Sequence, residues 1–174
     1  MALAVCLLFD PASERLVRAL WSRLEEHGVR TLETHTHRHH HPHLSYAVLR
    51  SWELDRVTEA LAGLGEGGSF TLACQGMVTF PRGRAALAAA VTADVTRRQE
   101  RVTTALAATG ADLHHHYLPG RWVPHVSLAT RAHGADLATV STTVSDALPV
   151  DLTVDRAALI DTGTGRVWPL PCLP

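Results

Sequence analysis

The same four-residue pattern occurs twice in this chain, as Pro-His-Leu-Ser at residues 42–45 and as Pro-His-Val-Ser at residues 124–127. The two histidines, His43 and His125, are 82 positions apart, about half of the 174 residues. Because side chains alternate between the faces of a β-strand, each stretch presents its histidine and its serine on the same face. The repeat therefore predicts two related halves that face each other across a cleft.

Periodicity and turn residues divide the rest of the chain into strands and helices. Short apolar runs predict strands, a three-to-four-residue spacing of apolar side chains predicts helices, and glycine and proline mark the ends. Strands are predicted at residues 2–9, 43–49, 69–74, 77–80, 84–91, 123–130, 150–161 and 166–170, and helices at 11–27, 52–64, 93–108 and 135–148.

The first predicted helix illustrates how the helices are expected to pack. Ser13, near its start, is a suitable cap because a serine hydroxyl can accept a hydrogen bond from a free backbone N–H. The helix is expected to bury one stripe of apolar side chains, formed by Leu16, Leu20, Trp21 and Leu24.

Each half of the chain has the predicted order β-α-β-α-β, and the spacings agree. The strand before the histidine strand comes 38 residues earlier in the first half and 37 in the second, and the strand after it follows by 27 residues in both. We therefore predict an α+β, bilobal, pseudo-two-fold fold, with mostly antiparallel sheets lining a central cleft and helices outside. Residues 1–174 would form one domain with lobes at roughly 1–80 and 81–174, a layout that leaves room for exchange of the terminal strands between lobes.

Composition excludes several classes of protein. The hydrophobic fraction of 46% with 19% charged residues is typical of a soluble globular protein. The chain contains no lysine, which excludes covalent lysine–nucleotide intermediates and the phosphate-binding lysine of a P-loop. The net charge of −1 argues against long duplex nucleic acid as a partner, although a small phosphate ligand fits a local pocket.

Location and assembly are less constrained by the sequence. Three widely spaced cysteines suggest neither a disulfide framework nor a metal site, which favours a reducing cytoplasm. The apolar start of the chain is too short to span a membrane, so we expect a core strand and no membrane partner. The sequence is compatible with a monomer.

The two histidine–serine pairs suit attack on a phosphodiester. One imidazole can accept a proton from the attacking oxygen while the other donates a proton to the leaving oxygen, since histidine exchanges protons near pH 6.5. Ser45 and Ser127 would donate hydrogen bonds to the non-bridging oxygens as charge builds on them. This scheme requires no metal and no other cofactor.

These residues carry a resemblance to a known family. The pattern resembles the two-histidine (2H) phosphoesterases, which have a His-x-Thr/Ser motif twice, and residues 119–129, Pro-Gly-Arg-Trp-Val-Pro-His-Val-Ser-Leu-Ala, are similar to the second motif of bacterial 2′-5′ RNA ligase-like proteins. The resemblance implies a bilobal α+β fold with His43, Ser45, His125 and Ser127 in the cleft. Serine replaces the threonine common in the family, which keeps the hydroxyl donor but removes the β-methyl that restricts its rotamer.

Three further residues are candidates for substrate binding. Arg131 follows His125 by six positions, so it would share the face of that histidine if the strand continued, and its guanidinium could hold a phosphate. The alternative is a solvated strand end. Arg121 and Trp122 directly precede the strand and could bind phosphate and stack on a base, although Trp122 could equally pack between the lobes.

The remaining histidines suggest a rival function. His35, His37, His39 and His41 would lie on one face of an extended segment, which is metal-ligand spacing, and a second cluster occupies residues 114–116. Three interpretations stay open for these clusters: a zinc or nickel site, a rim that attracts anionic substrates at mildly acidic pH, and loop composition without a role.

The sequence thus predicts a metal-independent 2H phosphodiesterase that acts on a small nucleotide or an RNA end, either a cyclic phosphodiester or a 2′-5′ linkage, with ligation as the reverse reaction. The alternatives are a histidine-rich metal-binding protein or metal-dependent hydrolase, and a non-catalytic module that binds nucleotides or RNA ends.

Overall fold

A computed structural model describes residues 2–174 of the chain. The predicted order of helices and strands is confirmed, with two short additional elements before the second histidine strand. The helices are α1 (Pro11–Glu26), α2 (Leu54–Ala62), α3 (Ala93–Ala108) and α4 (Ala135–Ser145), with a 3-10 turn at His115–Tyr117. The strands are β1 (Leu3–Phe9), β2 (His43–Ser51), β3 (Phe70–Phe80), β4 (Arg84–Ala90), β5 (Asp112–Leu113), β6 (His125–Ala129), β7 (Val150–Asp161) and β8 (Val167–Pro169).

All the strand pairings are antiparallel and belong to one sheet of eight strands. The strand order is β1-β2-β6-β4-β3-β7-β8, and β1 also pairs with β7, so that six strands close on themselves. The long strand β7 makes this closure, because its first residues pair with β3 and its later residues pair with β1. The predicted α+β fold class is therefore confirmed.

The register of the strands repeats between the two halves. In β1 and β2, Cys6 is opposite Ser45 and Leu8 is opposite His43. In β4 and β6, Ala86 is opposite Ser127 and Ala88 is opposite His125. Each motif thus meets its neighbouring strand at equivalent positions, which is the relation that a pseudo-two-fold requires.

Helix α1 differs in detail from the prediction. Its buried stripe is formed by Val17, Leu20, Trp21 and Leu24. Leu16 is 49% exposed, because it precedes Val17 by one residue and so lies about 100° around the helix from it. The predicted cap at Ser13 is wrong. The helix begins at Pro11, so Asp10 occupies the capping position and its carboxylate accepts a hydrogen bond of 2.7 Å from the Ser13 backbone N–H.

The two strands predicted at residues 69–74 and 77–80 form the single strand β3. Its register against β4 shifts between Cys74 and Gly76, which leaves Gln75 without a partner. A bulge of this kind bends a strand and increases its twist without ending it. None of the helices formed by residues 2–174 is both long and apolar enough to cross a bilayer.

Candidate active site

The two motifs lie side by side in the sheet. Strands β2 and β6 pair through Leu44 and Val126, the central residue of each motif. Both of these side chains are fully buried. Because neighbouring side chains on a strand point to opposite faces, the histidine and serine of both motifs share the other face.

Both imidazoles are held in the same way. The Nδ1 atom of His43 is 2.7 Å from the carbonyl oxygen of His41, and the Nδ1 atom of His125 is 2.7 Å from the carbonyl oxygen of Val123. A carbonyl oxygen can only accept, so each Nδ1 carries a hydrogen and donates it. The Nε2 atom of each ring is therefore the atom that is left to exchange a proton.

The surroundings of both histidines favour the neutral ring. Burial lowers the pKa of His43, and the hydrogen bond to the His41 carbonyl opposes that effect in part. Burial also lowers the pKa of His125, the bond to Val123 opposes it, and the nearby positive charges of His43 and Arg84 lower it further. A phosphate anion between the rings would supply the opposite charge that allows one of them to stay protonated.

A tryptophan anchors the backbone of each motif. The indole N–H of Trp122 donates to the carbonyl oxygen of Ser45 at 3.0 Å, and the indole N–H of Trp21 donates to the carbonyl oxygen of Ser127 at 3.0 Å. Trp21 is fully buried, whereas Trp122 is half-buried and meets Tyr46 edge to face, with ring centroids 5.8 Å apart. Trp122 therefore packs on Tyr46 and on the backbone of the first motif.

Two residues near the motifs were missed by the sequence analysis. Arg84 pairs with Phe80 at the start of β4, and the Phe80 ring lies 4.7 Å from the His125 ring. Tyr117 lies near Ser45: burial raises the pKa of the Tyr117 phenol to about 12, and its interactions with the Ser45 side chain and with the charge of Arg84 act in the opposite direction.

Different signals would have been needed to find these two residues. Arg84 shares the alternation of Ala86 and Ala88 in a predicted strand, but the approach of this strand to His125 follows only from the pairing of β4 with β6, in which Ala88 is opposite His125. Tyr117 lies in a 3-10 turn that no periodicity indicated.

The two predicted arginines, Arg121 and Arg131, lie outside the strands β2 and β6 that carry the motifs. Arg121 is exposed in a turn, and its charge lowers the pKa of the exposed His115, after the larger effects of partial desolvation and of the neighbouring His116. Strand β6 ends at Ala129, so the alternation that would place Arg131 beside His125 does not reach it. The exposed Arg131 lines a cavity of about 340 Å³ at the end of β6.

The first histidine cluster is not extended. Residues 35–38 form bends and a turn, and residues 39–41 belong to no strand, so the predicted alternation of four histidines on one face does not apply. The rings of His37 and His40 are packed with centroids 4.1 Å apart, and burial together with the charges of neighbouring histidines lowers the pKa of His40 to about 4. This packing favours neutral rings.

The second cluster has a geometry closer to that of a metal site. In residues 2–174, one group of three potential ligands comes together, namely His114, His115 and His116, whose ligand atoms lie within 4.8 Å of one another. Two of these three side chains are exposed. The rival metal hypothesis therefore concerns this turn.

Replacing Trp21 with phenylalanine is expected to lower the free energy of unfolding by about 1–3 kcal/mol, because a buried carbonyl loses its donor. Chemical denaturation followed by circular dichroism would measure it. Trp168→Phe is the matched control, since the Trp168 indole donates no hydrogen bond to any of residues 2–174 and it is half-buried. A loss as large for Trp168→Phe as for Trp21→Phe would contradict the anchoring role.

The pH dependence of kcat/KM should be bell-shaped, with one limb for the base and one for the acid. Both histidine pKa values are lowered from about 6.5, so the protonated form that acts as the acid becomes scarce above that pH. We therefore expect kcat/KM to be lower at pH 8 than at pH 6. Arg84→Gln removes a cation that lowers the pKa of His125, so the limb that belongs to His125 should move to higher pH.

Arg50→Gln is the control for that shift, because it removes the same charge from a residue that is paired with Asp112 at 3.0 Å. Initial rates between about pH 5 and 8 test both statements, since histidine titrates in that interval. A flat profile would count against the histidine pair.

Comparison with known proteins places this geometry in a family. A model of the 2′-5′ RNA ligase superfamily matches residues 9–166. The fold is similar to that of Escherichia coli LigT complexed with 3′-AMP, with a TM-score of 0.64 and 16% identity over 97% of this chain and 93% of that one. TT0787 of Thermus thermophilus gives a TM-score of 0.61 and 17% identity over 100% of both chains.

A eukaryotic protein shares the same fold. Usb1 of Kluyveromyces marxianus, solved with uridine monophosphate, has a TM-score of 0.54 and 15% identity over 98% of this chain and 97% of that one. No curated protein sequence matches the chain. At these identities the solved structures show the fold alone, and the family model, which covers most of the chain, shows the family. The chain belongs to the 2′-5′ RNA ligase superfamily and is a two-histidine phosphoesterase.

Proposed function

We propose that this phosphoesterase hydrolyses cyclic phosphodiesters or 2′-5′-linked RNA ends without a metal, by acid–base catalysis between His43 and His125. The observation that carries the proposal is the equivalent fixing of the two rings. Each Nδ1 donates to the carbonyl two residues earlier, which leaves both Nε2 atoms available for proton transfer. Paired strands and the shared register support a common substrate site for the two Nε2 atoms.

In hydrolysis of a 2′,3′-cyclic phosphate, a water oxygen forms a bond to phosphorus as one ribose oxygen leaves. The neutral histidine takes the proton of the water at its Nε2, and the protonated histidine gives its Nε2 hydrogen to the departing ribose oxygen. The product is a phosphomonoester. The Ser45 and Ser127 hydroxyls donate to the non-bridging oxygens, where negative charge increases.

Small nucleotides and RNA ends are the proposed substrates. Two of the solved structures with this fold are named for 3′-AMP and uridine monophosphate, and each of those ligands carries a single phosphate. A net charge of −1 gives the chain no general attraction for long duplex nucleic acid. We further propose a reducing compartment such as the cytoplasm, since all three cysteines are free thiols.

The test is hydrolysis of 2′,3′-cyclic AMP, a 2′-5′ dinucleotide and an RNA oligonucleotide with a cyclic phosphate end, each with and without EDTA. We expect turnover of at least one substrate that survives EDTA. Loss of activity on chelation, restored by zinc or nickel, would instead favour a metal-dependent hydrolase that uses the His114–His116 turn. Binding without turnover across the panel would favour a non-catalytic module.

A further inference from the structure

A cavity of about 340 Å³ lies between the loop after α1 and the end of β6, outside the proposed histidine pair. Backbone contacts fix its walls: the Thr130 N–H donates to the Arg30 carbonyl at 3.0 Å, and Thr31 forms a β-bridge with Ala129. The volume lies in the range of small-molecule sites, which are usually at least about 300 Å³. The two backbone contacts join the loop after α1 to β6, the strand that carries His125.

The cavity is lined by cationic groups. Arg30, Arg38, Arg131 and His35 contribute to its lining, with no aspartate or glutamate among the lining residues. Within residues 2–174, none of the three arginines takes part in an ion pair. Guanidinium groups bind the oxygens of phosphates and carboxylates through paired hydrogen bonds, and three of them around one cavity suit an anion with several charged oxygens, such as a phosphate.

One carboxylate stands behind the cavity wall. Glu25 accepts hydrogen bonds from the Thr31 N–H at 3.0 Å, the Thr31 hydroxyl at 2.7 Å and the Thr34 hydroxyl at 2.6 Å. Burial acts to raise the pKa of Glu25, but these bonds outweigh it and the pKa is lowered, so the group stays ionised. Its single charge is used by the hydrogen bonds to the threonines, and the three guanidinium groups around the cavity outnumber it by two positive charges.

The cavity lies at the end of β6, the strand that carries the second motif. Thr130, which lines the cavity, follows Ser127 of the second motif by three residues, or roughly 10 Å along an extended chain. The charge of Arg84 lowers the pKa of both His125 and His35, a residue that lines the cavity, although burial is the main cause in each case; Arg84 is therefore within electrostatic range of both places.

We propose that this cavity binds a second phosphate group of the substrate, next to the phosphate on which the histidines act. The inference rests on the proposed function and adds a substrate class to it: nucleotides and RNA ends that carry one more phosphate than the reacting one. The second phosphate is either a 5′-phosphate on the same nucleotide or the phosphodiester to the neighbouring nucleotide. Both have the same chemistry, and the two arms of the experiment separate them.

The experiment compares three substrates: 2′,3′-cyclic AMP, its 5′-phosphorylated form, and the dinucleotide ApA with a 2′,3′-cyclic phosphate end. The variant is Arg30→Gln/Arg38→Gln, two exposed side chains whose replacement should leave the fold intact. We expect kcat/KM to fall by about 10- to 100-fold on at least one of the two substrates with a second phosphate, the effect of lost charge-assisted contacts. Hydrolysis of 2′,3′-cyclic AMP should change by less than about 3-fold, since surface replacements have small effects.

The matched control is Arg97→Gln, which removes a charge from an exposed arginine that pairs with Asp94 on α3. Equal losses on all three substrates, or no loss on any, would overturn the cavity assignment while leaving the proposed function standing. If the wild-type protein turns over none of them, the proposed function fails. Calorimetry then tests the cavity by comparing the binding of adenosine 2′,5′-bisphosphate and of 2′-AMP to wild type and variant. The cavity assignment is supported only if the variant binds the bisphosphate more weakly than wild type and binds 2′-AMP equally well.

Discussion

Replacement of His43 or His125 by alanine is expected to lower kcat by about 10²- to 10⁴-fold, the contribution that a positioned acid or base makes to a proton transfer. Each ring is fixed through Nδ1, so its Nε2 atom is the one that exchanges the proton, and removal of the ring removes that atom. Steady-state rates on 2′,3′-cyclic AMP measure the loss. His27→Ala is the control, because His27 is exposed at the far end of α1.

The double variant distinguishes a pair from two independent sites. If the two histidines act in one step, His43→Ala/His125→Ala should be little slower than the worse single variant, since residues that act as a unit are not additive. Activity within about 3-fold of wild type in either single variant would remove that histidine from the mechanism. We expect circular dichroism to show that both variants are folded.

Ser45→Ala and Ser127→Ala should each lower kcat by about 10²- to 10³-fold, which is the effect of removing one donor to a developing oxyanion. The two hydroxyls share a face with the histidines, because Leu44 and Val126 are buried on the other face. The expected loss lies mainly in kcat, since the hydrogen bonds strengthen as charge accumulates on the phosphoryl oxygens.

Ser127→Thr is the informative companion to these variants. Threonine keeps the hydroxyl and adds a methyl group that restricts its rotamer, and Ser127 is half-buried, so space for the methyl is less limited there than at the buried Ser45. We expect activity within about 10-fold of wild type for Ser127→Thr, well above the alanine variant. Equal losses for threonine and alanine would indicate that the site depends on side-chain volume, not on a donor.

The sequence was sufficient for the parts of the structure that follow from strand alternation and repetition. The two motifs and their spacing predicted the β-α-β-α-β halves, and the alternation of residues 43–45 and 125–127 predicted a shared face. Strand alternation is a local pattern with a period of two residues, so it can be recognised in the sequence without knowing which strands pair. Leu44 and Val126, the aliphatic residues at the centre of the motifs, are buried on the opposite face, as this alternation requires.

Contacts between distant segments could not be predicted in the same way. The tryptophan anchors join Trp21 to Ser127 and Trp122 to Ser45, across 106 and 77 positions, and no periodicity reports them. Arg84 reaches the His125 region only because β4 pairs with β6. The cavity at the end of β6 depends on the loop after α1, which was expected to be extended and instead bends at residues 35–38.

The acid–base mechanism is tested most directly by varying the leaving group of the substrate. A nucleotide 4-nitrophenyl phosphodiester releases a weakly basic phenolate that needs no proton, so a variant that lacks the acid should be slowed far less on it than on an alkyl phosphodiester. A variant that lacks the base should be slowed on both. We predict that one, and only one, of His43→Ala and His125→Ala recovers most of its activity on the activated substrate. Equal losses for both variants on both substrates would contradict separate acid and base roles.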